Sequence, residues 1–201
     1  YKIGVVPWSG GTGLVGGQIA PDKYSVILSL ERMNKIKNFS SINQSIEVEA
    51  GVILETIHEF VDKKNFLYPL SMASKGTCCI GGNLATNAGG IGVLKYGNAR
   101  DLCLGLEVVL PDGSIINDIK TLKKDNTGYD LKNLFIGSEG SLGIITRAVL
   151  RLYPTPQNKV VAFFGAKSFD AALKSYLELS TSFGQYLQAF ELISDVGLRF
   201  L

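Results

Sequence analysis

The stretch PWSGGTGLVGG, residues 7–17, sets the tightest constraint on the fold. Gly11, Gly13 and Gly16 fit G-x-G-x-x-G, the fingerprint of a dinucleotide-binding turn. In the doubly wound nucleotide-binding fold that turn opens a helix, and the diphosphate sits on the helix N-terminus. Here Gln18-Ile19-Ala20 leads into Pro21, then through Asp22-Lys23-Tyr24 into the apolar run VILSL. Proline inside a helix removes a backbone donor and clashes with the preceding turn, so no helix starts here. Val26 to Leu30 reads instead as a short buried strand. What remains is a loop whose bare glycine backbone can curl its N–H groups round an anion. An ordinary glycine-rich turn is the competing reading.

A second stretch, Gly76 to Gly92, is dominated by Gly, Ala, Thr and Asn, and no charge falls between Lys75 and Lys95. Residues this small build little core by themselves. They suit places where backbone must approach a flat ligand or another backbone. A tightly packed turn region is the alternative, and a flat cofactor is the stronger expectation.

The surroundings are those of an ordinary globular chain. In 201 residues, 46% are hydrophobic and 19% charged, and a net charge of +2 gives no support to nucleic acid as a partner. Without a signal-peptide pattern or a long apolar run, a cytoplasmic location is expected. Cys78, Cys79 and Cys103 have neither metal-ligand nor disulfide spacing. His58, the only histidine, flanks an apolar stripe and reads as a boundary residue.

SIEVEAG alternates like a half-buried strand, and VILETIHEFVDKKN has helical spacing. LGLEVVLPDGSII is a hairpin turning at Pro111-Asp112-Gly113, Asp130 is placed to cap a short helix through Leu134, and Ile144 to Tyr153 is a long strand. Gly137 to Gly143 is a second glycine-studded turn. Pro154 and Pro156 mark a domain boundary. Beyond it KVVAFFG reads as a strand, FDAALKSYLELSTSF as a helix and YLQAFELI as a strand, the start of another α+β unit. Tyr1 opens on a strand already under way and DVGLRFL stops in an uncapped helix, so both ends are expected to be cut from something longer.

PWSGGTGLVGG, PLSMASKGTCCIGGNLATNAGG with KYGN, LGLEVVLPDG and KDNTGYDLKNLFIGSEGSLGIIT occur in this order. Together they resemble FAD-linked enzymes of the vanillyl-alcohol-oxidase (PCMH) type. Within these the chain is most similar to the branch of D-2-hydroxyglutarate and D-lactate dehydrogenases and the glycolate oxidase FAD subunit. The resemblance runs over nearly all of residues 4–156, and AFELI is similar to the early cap domain. It implies an α+β fold: a two-lobed FAD-binding domain over 1–153, its N-terminal part missing, and from 154 to 201 the start of a truncated cap.

By that resemblance Ser9, Gly10, Gly11, Thr12, Gly13 and Leu14 would wrap the FAD diphosphate, with Gly17 beside them. Pro69, Gly76, Thr77, Gly81, Gly82 and Asn83 would line the flavin ring and its linker, together with Thr86, Asn87, Gly89 and Gly90. Gly143 and Ile145 would lie near the adenine. FAD is expected to be noncovalent, since the loop carries no histidine.

The implied reaction takes a D-2-hydroxy acid to the 2-oxo acid, with hydride passing to flavin N5. Relatives draw the base, and often a divalent metal, from cap and C-terminal segments, so no catalytic or metal residue is expected among these residues. Expected partners are the hydroxy acid, an electron-carrier protein or quinone, and a second copy of the chain in a homodimer. D-2-hydroxyglutarate is the leading substrate, D-lactate or glycolate the alternative, and a flavin-binding module without catalysis the alternative of another class.

Overall fold

A computed structural model describes residues 3–200. The chain opens with β1 (Val5–Trp8) and, after the glycine loop, β2 (Val26–Ser29), which pair in parallel as a two-stranded ribbon. No helix intervenes, as Pro21 requires. All four β2 residues are exposed, however, whereas burial was expected from their apolar character. Among the described residues β1 and β2 pair with no other strand, so both edges of the ribbon lie open.

The body of the fold is a five-stranded antiparallel sheet. It contains β3 (Ile36–Ser40), β4 (Ser45–Glu49), β6 (Cys103–Val109), β7 (Ile115–Asp118) and β8 (Ile144–Arg151). Their order is β3-β4-β8-β6-β7. Between β4 and β6 the chain forms α1 (Leu54–Asp62), β5 (Phe66–Leu67), α2 (Ile80–Ala85) and α3 (Val93–Tyr96). α4 (Lys132–Phe135) precedes β8, and β9 (Tyr153–Pro154) returns to pair with β5. The hairpin of β6 and β7 turns at Gly113, whose φ of 86° explains the glycine. Asp130 does not cap α4 with its side chain, which instead takes Lys132 Nζ and Asn133 Nδ2.

The core joins the sheet to α1 and α2, with Ile46, Val48, Ile57, Leu84, Leu106 and Leu150 all essentially inaccessible. β4 is buried along its whole length rather than on one face. Its glutamates are tolerated because each is paired: Glu47 meets Arg147 at 2.8 Å and Glu49 meets Lys37 at 2.8 Å. Arg147 also pairs with Glu107 on β6, tying the three central strands together on that face. The Arg147 guanidinium, with Thr146, holds the Glu107 carboxyl below its ordinary value of 4.5.

After β9, α5 (Phe169–Phe183) forms over the expected residues, with Ser168 Oγ accepting from Ala171 N–H at its start. α6 (Asp195–Leu198) follows. KVVAFFG and YLQAFELI form no strands. A strand exists through its ladder, and among the described residues neither segment finds one; they meet through Phe164 and Phe190, ring centroids 6.0 Å apart. Phe169, Leu173 and Leu177 of α5 are exposed.

Candidate functional site

Three segments enclose a cleft of about 270 Å³: the loop 9–18, the stretch 72–88 that carries α2, and the turn 139–145 leading into β8.

In the loop, Gly11 (φ 64°) and Gly16 (φ 79°) adopt left-handed backbone that L side chains avoid. Gly11 is doubly constrained, because a Cβ there would lie 2.4 Å from the Trp8 indole. Gln18 Nε2 donates to Gly13 O at 2.9 Å and to Gly11 O at 3.5 Å. In a planar trans peptide the next N–H points opposite to the carbonyl, so this clamp turns the N–H groups of Thr12 and Leu14 away from Gln18. None of the backbone N–H groups of residues 10–17 donates to another protein group among the described residues. A row of unspent donors on a concave wall is an anion cradle.

The α2 wall works differently. Its first N–H groups are already used, Ile80 by Val52 O at 3.0 Å, Gly81 by Ala50 O at 2.7 Å and Gly82 by Ser9 Oγ at 3.2 Å. This helix start therefore offers an anion no free donors, and the unspent backbone donors lie in the loop. Gly81 is a packing glycine, since a Cβ would approach Ala50 Cβ to 2.7 Å. Asn83 is buried, its Oδ1 has no protein partner, and its Nδ2 has only Met72 Sδ at 3.7 Å. Such an orphaned acceptor on a cleft wall fits an N–H or O–H of a ligand.

The third wall is the turn from Gly137 to Gly143. Gly140 (φ 81°) sits against Pro7, and Gly143 lies so close to β6 that a Cβ would meet Val109 O at 2.9 Å. Glu139 is the only charged side chain lining the cleft among the described residues. A ligand's diphosphate would meet neutral backbone dipoles, not lysine or arginine. These features, free donors, an orphaned acceptor and glycine-lined walls, fit a phosphate-bearing cofactor.

Of the residues singled out in the sequence, Ser9, Gly10, Gly11, Thr12, Gly13 and Gly17 line the cleft. So do Gly81, Gly82, Asn83, Thr86, Gly143 and Ile145. The Leu14 side chain is fully exposed, while its N–H belongs to the donor row. Pro69, Gly76, Thr77, Asn87, Gly89 and Gly90 stand off the cleft surface. Asn87 (φ 48°) ends α2, and its Oδ1 accepts from Arg100 N–H at 3.0 Å. Gly90 packs on Ser71, where a Cβ would lie 2.1 Å from the carbonyl oxygen. Gly89 faces Asn98, Gly76 faces Glu55, and Thr77 Oγ1 donates to Ser74 O at 3.2 Å.

Sequence reasoning missed Gln18, Met72, the thiols Cys78 and Cys79, and Glu139. Glu139 had one signal, as the single charge inside a glycine turn. Cys79 is a free thiol whose pKa burial pushes up, so it is kept protonated. His58 is not at the cleft. Its Nε2 lies 2.9 Å from Leu70 O, and burial pushes its pKa below 6.5. No three His, Cys, Asp or Glu side chains gather as a metal site among the described residues.

The family model described as FAD binding domain matches residues 1–118. This chain belongs to that family. It is 45% identical over 190 residues to the mitochondrial D-2-hydroxyglutarate dehydrogenase of Bos taurus, covering 94% of this chain and 35% of the relative. A mitochondrial protein of Schizosaccharomyces pombe with the provisional name D-lactate dehydrogenase is 44% identical over 196 residues, covering 98% and 37%. Among solved structures, alkyldihydroxyacetonephosphate synthase superposes with a TM-score of 0.74 at 26% identity, over 90% of this chain and 35% of that one. The chain thus spans little more than a third of the length of these relatives. The fold is the α+β, PCMH-type FAD-binding architecture, and the cofactor of the family is FAD.

The expected cytoplasmic location is overturned, because the relatives from cattle and fission yeast are named mitochondrial. The expectation had rested on finding no targeting pattern in this stretch, and an address carried elsewhere in a chain leaves no mark on it.

Proposed function

We propose that these residues form the FAD-holding part of a dehydrogenase that oxidises a D-2-hydroxy acid, D-2-hydroxyglutarate first, to the 2-oxo acid. The observation that carries the reading is the row of N–H groups over residues 10–17 without a protein acceptor among the described residues, in a loop that lines a cleft bordered by no described lysine or arginine. The likeness to D-2-hydroxyglutarate dehydrogenase supports the substrate class.

The loop N–H groups of residues 10–14 and 17 hold the diphosphate, oriented by the Gln18 clamp. Asn83, with its free Oδ1, meets a donor of the flavin half, and Gly82 and Thr86 line the same wall. Gly143 and Ile145 border the adenine. Pro69, Gly76, Thr77, Asn87, Gly89 and Gly90 shape this wall from behind. Bound FAD supplies the hydride acceptor at N5. The apolar walls from Met72, Cys78 and Ala85 keep water from the cofactor. The base for the hydroxyl proton and any metal come from outside residues 1–153, which we take as the FAD-binding unit, with 154–201 belonging to a cap. Electrons then pass to a carrier protein or quinone.

D-lactate is the second reading, favoured by the fission-yeast relative. The test is anaerobic titration of the FAD-loaded full chain with D-2-hydroxyglutarate, D-lactate, glycolate and the L enantiomers. Bleaching of the flavin band by D-2-hydroxyglutarate at the lowest concentration supports the proposal. Preferential bleaching by D-lactate selects the second reading, and no bleaching by any hydroxy acid leaves a flavin-binding module without this chemistry.

A further inference from the structure

A second cavity, of about 360 Å³, lies at the far end of β8. β8 borders the first cleft at Ile145 and reaches this one at Arg151, about 20 Å along the strand, and the two share no lining residue. The cavity is enclosed by the start of β6 at Cys103, the end of β8 at Arg151 and the connection 118–133. That connection is tied to the turn between β3 and β4. Asn43 Nδ2 donates to Thr121 Oγ1 at 3.1 Å, and Lys123 Nζ to Gln44 Oε1 at 3.3 Å.

Most charges on its walls are already matched. Lys120 Nζ lies 2.8 Å from Asp118 and 2.5 Å from Asp125, and Lys132 Nζ lies 2.8 Å from Asp130. Asp101 Oδ2 accepts from Asn98 N–H at 2.8 Å, and the Arg100 guanidinium donates to Asn133 O and Ile136 O. Arg151 is the exception. Its guanidinium lies 4.8 Å from the Tyr153 ring centroid, which fixes its orientation, yet it meets no carboxylate among the described residues. Its Nε is shielded from solvent without an acceptor. Asn133 has the converse deficit: Nδ2 donates to Asp130 at 2.7 Å, which fixes the amide, and the shielded Oδ1 has no donor. Shielded polar atoms are normally paired, and an unmatched guanidinium is costly. One cavity thus presents an unmet cationic donor and an unmet neutral acceptor.

We propose that this cavity binds a small oxyanion that also carries a hydroxyl, either a hydrogen phosphate group or a hydroxy carboxylate. The oxyanion takes the Arg151 guanidinium, and the hydroxyl donates to Asn133 Oδ1. An anion without an O–H group, such as sulfate or succinate, leaves that acceptor empty. Phosphate and malate carry both groups. The assignment does not rest on the FAD reading above.

The test is isothermal titration calorimetry of the purified full chain with phosphate, sulfate, L-malate and succinate at constant ionic strength. Phosphate binds saturably and about tenfold or more tightly than sulfate, or malate does so relative to succinate. The tighter of phosphate and malate names the source of the oxyanion. Arg151→Met keeps bulk against Tyr153 and weakens that binding about ten- to hundredfold. Arg151→Lys, which keeps the charge without Nε, falls between, and it carries the comparison if Arg151→Met does not fold. Lys124→Met removes a neighbouring exposed charge that does not line the cavity, and changes the affinity less than about threefold. The assignment is overturned if neither phosphate nor malate saturates, or if sulfate and succinate bind as tightly as their hydroxyl-bearing counterparts. It is also overturned if the saturable binding survives the Arg151 substitutions, or if Lys124→Met weakens it as much as they do.

Discussion

Substituting Gly13 and Gly90 separately divides glycines that face the ligand from glycines that pack the fold. At Gly13 an added Cβ meets only Gln18 Oε1, at 3.3 Å, and the backbone is not left-handed. Gly13→Ala should therefore leave the melting temperature of the apoprotein within about 2 °C, which corresponds to no more than about 1 kcal/mol for a chain of this size. The methyl group pushes on the Gln18 amide, which orients the loop carbonyls. Losing one or two donors to a charged group costs about 1.5–3 kcal/mol, a weakening of FAD binding by about ten- to hundredfold. At Gly90 the added Cβ would lie 2.1 Å from Ser71 O and 2.9 Å from Ser71 C. Overpacking against backbone costs about 1–3 kcal/mol or more, so Gly90→Ala should lower the apoprotein's melting temperature by about 3–10 °C. Affinity of the molecules that still fold should change less than about threefold, because Gly90 stands off the cleft. Differential scanning fluorimetry of apoprotein and fluorescence titration with FAD read the two quantities independently. The reasoning fails if the two substitutions shift stability and affinity together, or if Gly90→Ala is the one that spares stability and loses FAD.

Gln18→Leu keeps the side-chain bulk but removes the amide clamp, and should weaken FAD binding by about tenfold with little change in melting temperature, read by the same titration. Arg147→Met leaves Glu47 and Glu107 unpaired in the middle of the sheet. Because the cluster is partly open to solvent, chemical denaturation should show a loss of about 1–3 kcal/mol. The folded pKa of Glu107 is held below 4.5, so its contribution is complete above that value and is lost as pH falls through the lowered folded pKa. Native protein should show this added acid sensitivity below about pH 4.5, and Arg147→Met should lack much of it. Burial pushes the Cys103 thiol up to about 12, so mass spectrometry after alkylation at pH 8 should find Cys103 modified only at the rate of global unfolding.

Local chemistry carried much of this fold into view. Pro21 excluded the helix after the glycine loop, the spacing of Leu54, Ile57 and Val61 marked α1, and Pro111-Asp112-Gly113 marked the hairpin. Features that depend on distant partners were hidden. α2 contains two glycines in IGGNLA, a poor helix sequence, and it forms because Val52 O, Ala50 O and Ser9 Oγ accept its first N–H groups. The apolar runs at 159–165 and 186–193 have strand composition without a ladder. Gly13 and Gly90 look alike in a string of letters. Only the position of Ser71 shows that Gly90 serves packing. The loop itself was legible, whereas its orienting residue Gln18 and the charge at its mouth, Glu139, required the chain to be folded.

The most direct measurement is the visible spectrum of the purified full chain, followed by heat precipitation and identification of whatever is released. A flavin spectrum with intact FAD recovered in the supernatant is the expected result, since on the proposed reading the loop would hold the diphosphate through hydrogen bonds alone. A colourless protein that cannot be reconstituted with FAD would contradict the assignment of the cleft, and colour that stays with the precipitate would contradict noncovalent binding and turn attention to Cys78 and Cys79 on the cleft wall.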